Sequence, residues 1–162
     1  MAVGFTVKRN RPVSGANFFA EVLSVASRLL GGPVRVEVDP PDAELEPDKG
    51  SARLTVAGED VAVDVYAFDV PDIGAGDERE EAGAQVAFEV SFRSSFSFAI
   101  ALAAAIAYAT LTDSKVRDEW GFVTKGQPAE PENLLESLST SDKRNPMTAA
   151  EELAQQLGVS FG

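Results

Sequence analysis

The chain has 162 residues, a length that suits one domain built around one sizeable core. Its composition, 44% apolar and 25% charged, is that of a globular chain and excludes a disordered one. It contains neither Cys nor His, which excludes disulfides, Ser-His and Cys-His nucleophile pairs and the commonest transition-metal ligands.

The formal net charge of −12 is unevenly spread. From Val36 to Val90 there are 16 acids against three bases (Lys49, Arg53 and Arg79), whereas the remainder holds 10 acids and 11 bases. The acidity belongs to the middle of the chain. Such a surface repels nucleic acid and anionic lipid and attracts basic partners. Neither nucleic acid nor a membrane is therefore expected as a partner. The opening residues MAVGFTVKRNRP place basic residues after apolar ones, the reverse of a secretory signal, so a cytoplasmic protein is expected.

Gly4–Arg9 reads as a short strand, ended by Arg11-Pro12. Ser14 is placed to cap a helix over Gly15–Leu30. In that helix Phe18, Val22, Val25 and Leu29 make one stripe, flanked by Phe19, Leu23, Ala26 and Leu30. Gly31-Gly32 supplies the stop.

Four segments with period-two alternation follow: Pro33–Val38, Ser51–Ala57, Val61–Phe68 and Gln85–Arg93. Each presents one apolar face and one polar face, as antiparallel strands do when one side is buried. Ala57-Gly58-Glu59-Asp60 joins the second to the third, and a two-residue loop with Gly58 first suits a II′ turn. That register sets Val56 opposite Val61, Leu54 opposite Val63 and Ala52 opposite Val65, all on the apolar face. The other two connections, Asp39–Gly50 and Pro71–Gly83, are long and acidic. In an up-down meander they share one end of the sheet.

Ser94–Leu111 (SSFSFAIALAAAIAYATL) is apolar on every side. It is short for a membrane span, rich in Ala and interrupted by Ser97, Tyr108 and Thr110, so a buried central helix is predicted, capped by Ser94 or Ser95. The sheet would cover one side of it and the other helices the rest. Ser114–Val123 reads as a last strand in which Val116, Trp120 and Phe122 share parity with Asp118. A carboxylate on an apolar face is costly. The strand is therefore expected to start late or to bulge, leaving Asp118 at a wet edge. Residues 124–162 are a polar helical extension, with helices expected over Pro131–Leu138 and Pro146–Leu157; the latter carries Met147, Ala150, Leu153, Ala154 and Leu157 on one side.

The predicted fold is a single α+β domain over residues 1–162. An antiparallel sheet of five to six strands carries helices on one face, in the order β-α-β-β-β-β-α-β followed by one or two helices.

The acids of the two long connections are the candidate binding residues: Asp39, Asp42, Glu44, Glu46 and Asp48 in one, Asp72, Asp77, Glu78, Glu80 and Glu81 in the other. Clustered charge of one sign steers association with an oppositely charged partner. The spacing DIGAGDEREE does not match a calcium-binding EF-hand loop, and no strand–Gly loop–helix phosphate cradle is present, so no metal or cofactor is expected. Paired carboxylates need a cleft, and Asp64 and Glu89 fall on an open sheet face, so no enzymatic activity is expected. The early bases Lys8, Arg9, Arg11, Arg28 and Arg35 are expected to partner the acidic half.

Ala101–Val123 (ALAAAIAYATLTDSKVRDEWGFV) combines an Ala-rich helix, a short turn and a strand carrying Asp and aromatics. In this it resembles the C-terminal half of small bacterial α+β proteins of the polymorphic-toxin immunity type. It departs from them in having TDSK where they often have a Gly-rich turn. The resemblance implies a non-enzymatic cytoplasmic inhibitor that binds a basic toxin, such as a nuclease, through its acidic loops. It carries over no individual residue. An adaptor or structural protein of a larger bacterial assembly is the alternative, and a ligand binder with a pocket between sheet and helices is the third.

Overall fold

The computed structural model describes residues 4–39, 51–70, 83–91, 94–118, 127–138 and 145–159. Among them the chain forms six strands and four helices. The strands are β1 (Gly4–Lys8), β2 (Val36–Asp39), β3 (Ser51–Val56), β4 (Ala62–Val70), β5 (Gly83–Val90) and β6 (Val116–Asp118). The helices are α1 (Gly15–Leu30), α2 (Ser95–Thr112), α3 (Pro131–Leu138) and α4 (Pro146–Gln156). The predicted α+β class and element order are those observed.

All strands belong to one antiparallel sheet in the order β2-β3-β4-β5-β1-β6. Strands β2 to β5 form the meander expected from their alternation. The first strand does not sit at an edge: β1 is inserted between β5 and β6. Each strand turns its apolar set to one face. Leu54 pairs with Val63 and Ala52 with Val65, the register read from the alternation. Val65 pairs with Phe88, Phe88 with Phe5, and Val7 with Val116.

The β3–β4 turn differs in type from the expected one. The Glu59 N–H donates to the Val56 carbonyl at 3.1 Å, so Ala57 and Gly58 are the central residues, and Gly58 has φ +78°. A positive φ at the second central position is the type II arrangement, which also selects Gly. The register is unchanged because the ladder, with its buried face, decides it.

The caps explain where the main helices begin and end. The Ser14 Oγ accepts from the Asn17 N–H at 3.2 Å, and Gly31 ends α1 in the left-handed conformation at φ 72°. The Ser94 Oγ accepts from the Ser97 N–H at 3.0 Å at the start of α2. At its other end Asp113 caps α2 with φ 56°, the only positive φ of a non-glycine among the described residues.

Helix α2 is the centre of the molecule. Every residue from Phe96 to Ala109 is buried. It packs against β1, β4, β5 and β6 on one side and against α1, α3 and α4 on the others. Its length and composition would let it cross a membrane, but its apolar surface is covered by the protein itself, as in a soluble globular domain. Phe18 of α1, Phe88 of β5 and Tyr108 of α2 meet with ring centroids 5.9 to 6.0 Å apart, tying both helices to the sheet. Leu134, Leu135, Ala150, Leu153 and Ala154 of the C-terminal helices join the same core. The Met147 side chain lies outside the described set.

Two expectations need correction. Strand β2 begins at Val36 and not at Pro33, although Val34 is buried. Asp118 is not at a wet edge. It pairs with Phe5 on the helix-covered face and is 4% exposed. Residues 119–126, which hold the predicted Trp120 and Phe122, lie outside the described residues.

Candidate functional site

Of the ten acids singled out from the sequence, Asp39 is described, and it is exposed at the end of β2. Asp42, Glu44, Glu46, Asp48, Asp72, Asp77, Glu78, Glu80 and Glu81 lie outside the described residues. The strand ends that carry their segments are described. Consecutive antiparallel pairing of β2, β3, β4 and β5 puts Asp39 and Ser51, and Val70 and Gly83, toward the same end of the sheet. Neighbouring strands lie about 4.8 Å apart, so the two pairs of strand ends are separated by roughly 10 Å across the sheet.

The face of the sheet turned away from the helices is polar, and it continues from those strand ends. Asp39 pairs with Arg53, Arg53 with Asp64, and Asp64 with Glu89. The Arg53 Nε donates to Asp64 Oδ1 at 2.8 Å. This hydrogen bond, the Asp64 charge and the Asp39 charge raise the Arg53 pKa above its ordinary value. A raised base stabilises the fold at every pH below its unfolded value, so this guanidinium adds no pH dependence near neutrality. The Tyr66 hydroxyl donates to Glu89 Oε1 at 2.6 Å, which leaves the adjacent carboxylates Asp64 and Glu89 each with a partner. They lie on an open face, not in a cleft.

A second feature lies on the same face, toward β6. A cavity of about 440 Å³ is lined by Thr6 and Lys8 of β1, Gln85 of β5, Arg117 of β6, and Asn10, Asp113, Ser114, Lys115 and Pro128. Thr6 pairs with Ala87 on one side and Arg117 on the other. Thr6 and Gln85 are buried although none of the described helices covers this face, while Lys8 and Lys115 are exposed and Arg117 is half-buried.

The walls of the cavity are held by a polar junction. The Ser114 hydroxyl donates to the Lys8 carbonyl at 2.9 Å and accepts from Asn10 Nδ2 at 2.9 Å. The Thr112 hydroxyl donates to the Tyr108 carbonyl at 2.9 Å. Val116 and Ala129 exchange two backbone hydrogen bonds of 2.9 Å, which close the outer edge of β6 and bring Pro128 to the rim. Arg11 reaches Asp113 at 3.9 Å, and Lys115 reaches Glu130 at 3.8 Å, both in exposed, loose pairs. Arg11 thus pairs with an acid outside the acidic half it was expected to serve.

Sequence reasoning did not find this cavity. Lys8 falls within the predicted first strand, Gly4–Arg9, and Arg117 within the predicted last one, Ser114–Val123. Nothing in local spacing says that these two strands are neighbours. Among the described residues no group of three acids is placed to hold a metal ion. No family model matches the chain, and no curated protein and no solved structure matches it.

Proposed function

We propose that this is a non-enzymatic cytoplasmic protein that binds a basic protein partner through the acidic end of its sheet, as an immunity-type inhibitor of a toxin would. The observation that supports this reading is the meander, which directs the strand ends of both acidic segments to one end of the sheet. On this reading the acids of the two segments act together on one partner. Clustered charge of one sign raises association rates and selects partners of opposite charge. Exposed Glu37 and Asp39 extend it onto β2.

The test is co-expression with a basic, nuclease-type toxin domain encoded beside its gene. Expected are rescued growth and a stable complex that weakens steeply with added salt. Reversing charge at Asp42, Glu44, Asp77, Glu78 and Glu80 together should weaken the complex by at least about tenfold. A complex insensitive to salt and to these reversals would overturn the acidic-end reading in favour of an adaptor with an apolar interface.

A further inference from the structure

We infer that the cavity between β5, β1 and β6 is a binding site for a small organic anion carrying a carboxylate or phosphate group. It lies on the β5–β1–β6 side of the sheet, with Gln85 two residues along β5 from Gly83, and does not depend on a protein partner.

The first reason is charge. In a chain of net charge −12, this cavity is lined by three cations, Lys8, Lys115 and Arg117. Asp113 is the one acid among its described lining residues. The Asp113 carboxylate is 91% exposed and 3.9 Å from Arg11, which leaves three cations against one acid among the described lining residues. Lys8 forms no ion pair with any described residue.

The second reason is register. Phe5 pairs with Asp118, Thr6 with Arg117 and Val7 with Val116. Lys8 follows Val7 and Lys115 precedes Val116, so the two lysines leave the end of this ladder next to one another. Like charges on adjacent strands are destabilising unless something of opposite sign lies between them. Lys115 is drawn toward Glu130 only at 3.8 Å.

The third reason is the floor. Gln85 and Thr6 are buried polar side chains on the face that none of the described helices covers, at 6% and 8% exposure. With Asn10 at the rim they supply neutral hydrogen-bonding groups around the cationic walls. A few convergent polar groups in a concave site fix a ligand's orientation, and the exposed ammonium groups of Lys8 and Lys115 attract the oxygens of a carboxylate or phosphate. The volume of about 440 Å³ suits a small molecule.

The experiment follows backbone amide shifts of the full chain by NMR during titration with inorganic phosphate and, separately, with citrate, at ionic strength held constant with sodium chloride. Saturable shifts at Lys8, Gln85, Lys115 and Arg117 with either anion support the site. Phosphate alone saturating assigns a phosphate group, and citrate alone a carboxylate. Lys8→Gln and Lys115→Gln change exposed side chains and should each weaken binding by about fivefold to tenfold. Arg117→Gln should weaken it at least as much. Asp113→Asn, which removes the one lining acid, should tighten binding severalfold, a gain that a purely structural role would not produce. Non-saturable shifts, shifts spread equally over all basic residues, or affinities unchanged in both lysine variants and in Asp113→Asn would overturn the inference.

Discussion

Asp118 stands directly across the ladder from Phe5, on the face that the helices cover, and is 4% exposed. Burying a carboxylate is costly unless it is paired or hydrogen-bonded, and Asp118 takes part in a hydrogen-bonding or electrostatic interaction. Replacing it by Ala deletes the carboxylate, and the loss of an engaged carboxylate leaves its partner unsatisfied. Asp118→Ala should therefore lower stability by about 1–3 kcal/mol in urea unfolding, while Asp118→Asn should retain most of it. Equal stability of Asp118→Ala and the parent would show that the carboxylate is merely tolerated.

The start of α2 also holds the β3–β4 hairpin. The fully buried Ser97 hydroxyl oxygen accepts from the Ala62 N–H at 3.1 Å. The Ser94 hydroxyl donates toward the Asp60 carbonyl at 3.3 Å. Ser97→Ala should cost about 1–3 kcal/mol, because the first N–H of β4 loses its acceptor. Ser94→Ala loses the helix cap and should cost about 1 kcal/mol. Faster amide exchange at Ala62 in Ser97→Ala, and not in Ser94→Ala, separates the two effects.

The small side chains of α2 let its neighbours approach closely. Ala99, Ala103 and Ala107 are fully buried, as are the bulkier Phe98, Leu102 and Ile106 beside them. Added volume has nowhere to go in a closely packed interior. Ala103→Leu should destabilise by about 1–3 kcal/mol through overpacking. Leu102→Ala should cost about 2–5 kcal/mol through the cavity it leaves. Thermal melts of both variants check this; a parent-like melting temperature for Ala103→Leu would mean that α2 has unfilled space beside it.

Asp113 is poorly suited to its place. It is a non-glycine residue at φ 56°, and its carboxylate sits at the C-terminal end of α2, where the helix dipole disfavours negative charge. The compensating pair to Arg11 is long and exposed, which makes it weak. Asp113→Asn keeps tolerance of the left-handed conformation and removes the charge. It should raise stability by about 0.3–1 kcal/mol, with the gain shrinking as salt is added. A loss of stability would show that the Arg11 contact outweighs the dipole.

Much of this architecture could be read from local pattern. Period-two alternation marked β2 to β5, the Phe18–Val22–Val25–Leu29 stripe marked α1, and Ser14 and Ser94 marked the helix starts. Those signals are local because side-chain direction repeats every two residues in a strand and every 3.6 in a helix. The pairing of Leu54 with Val63 was also legible, since a single slip would turn every apolar residue of β3 to water. Even the uniformly apolar α2 announced its burial.

Tertiary structure alone decided the rest. Nothing in GFTVK says that β1 lies between β5 and β6, because those partners are far away in the chain and contribute no periodic signal to it. That insertion buries Asp118 against Phe5, on the apolar face its parity indicated, where the cost of burying a carboxylate had argued for a wet edge. It also sets Lys8, Arg117 and Gln85 around one cavity, although the three come from distant parts of the sequence. The acidic segments declared themselves by composition. The basic cavity exists only because non-local strand pairing gathers charges that the sequence keeps apart.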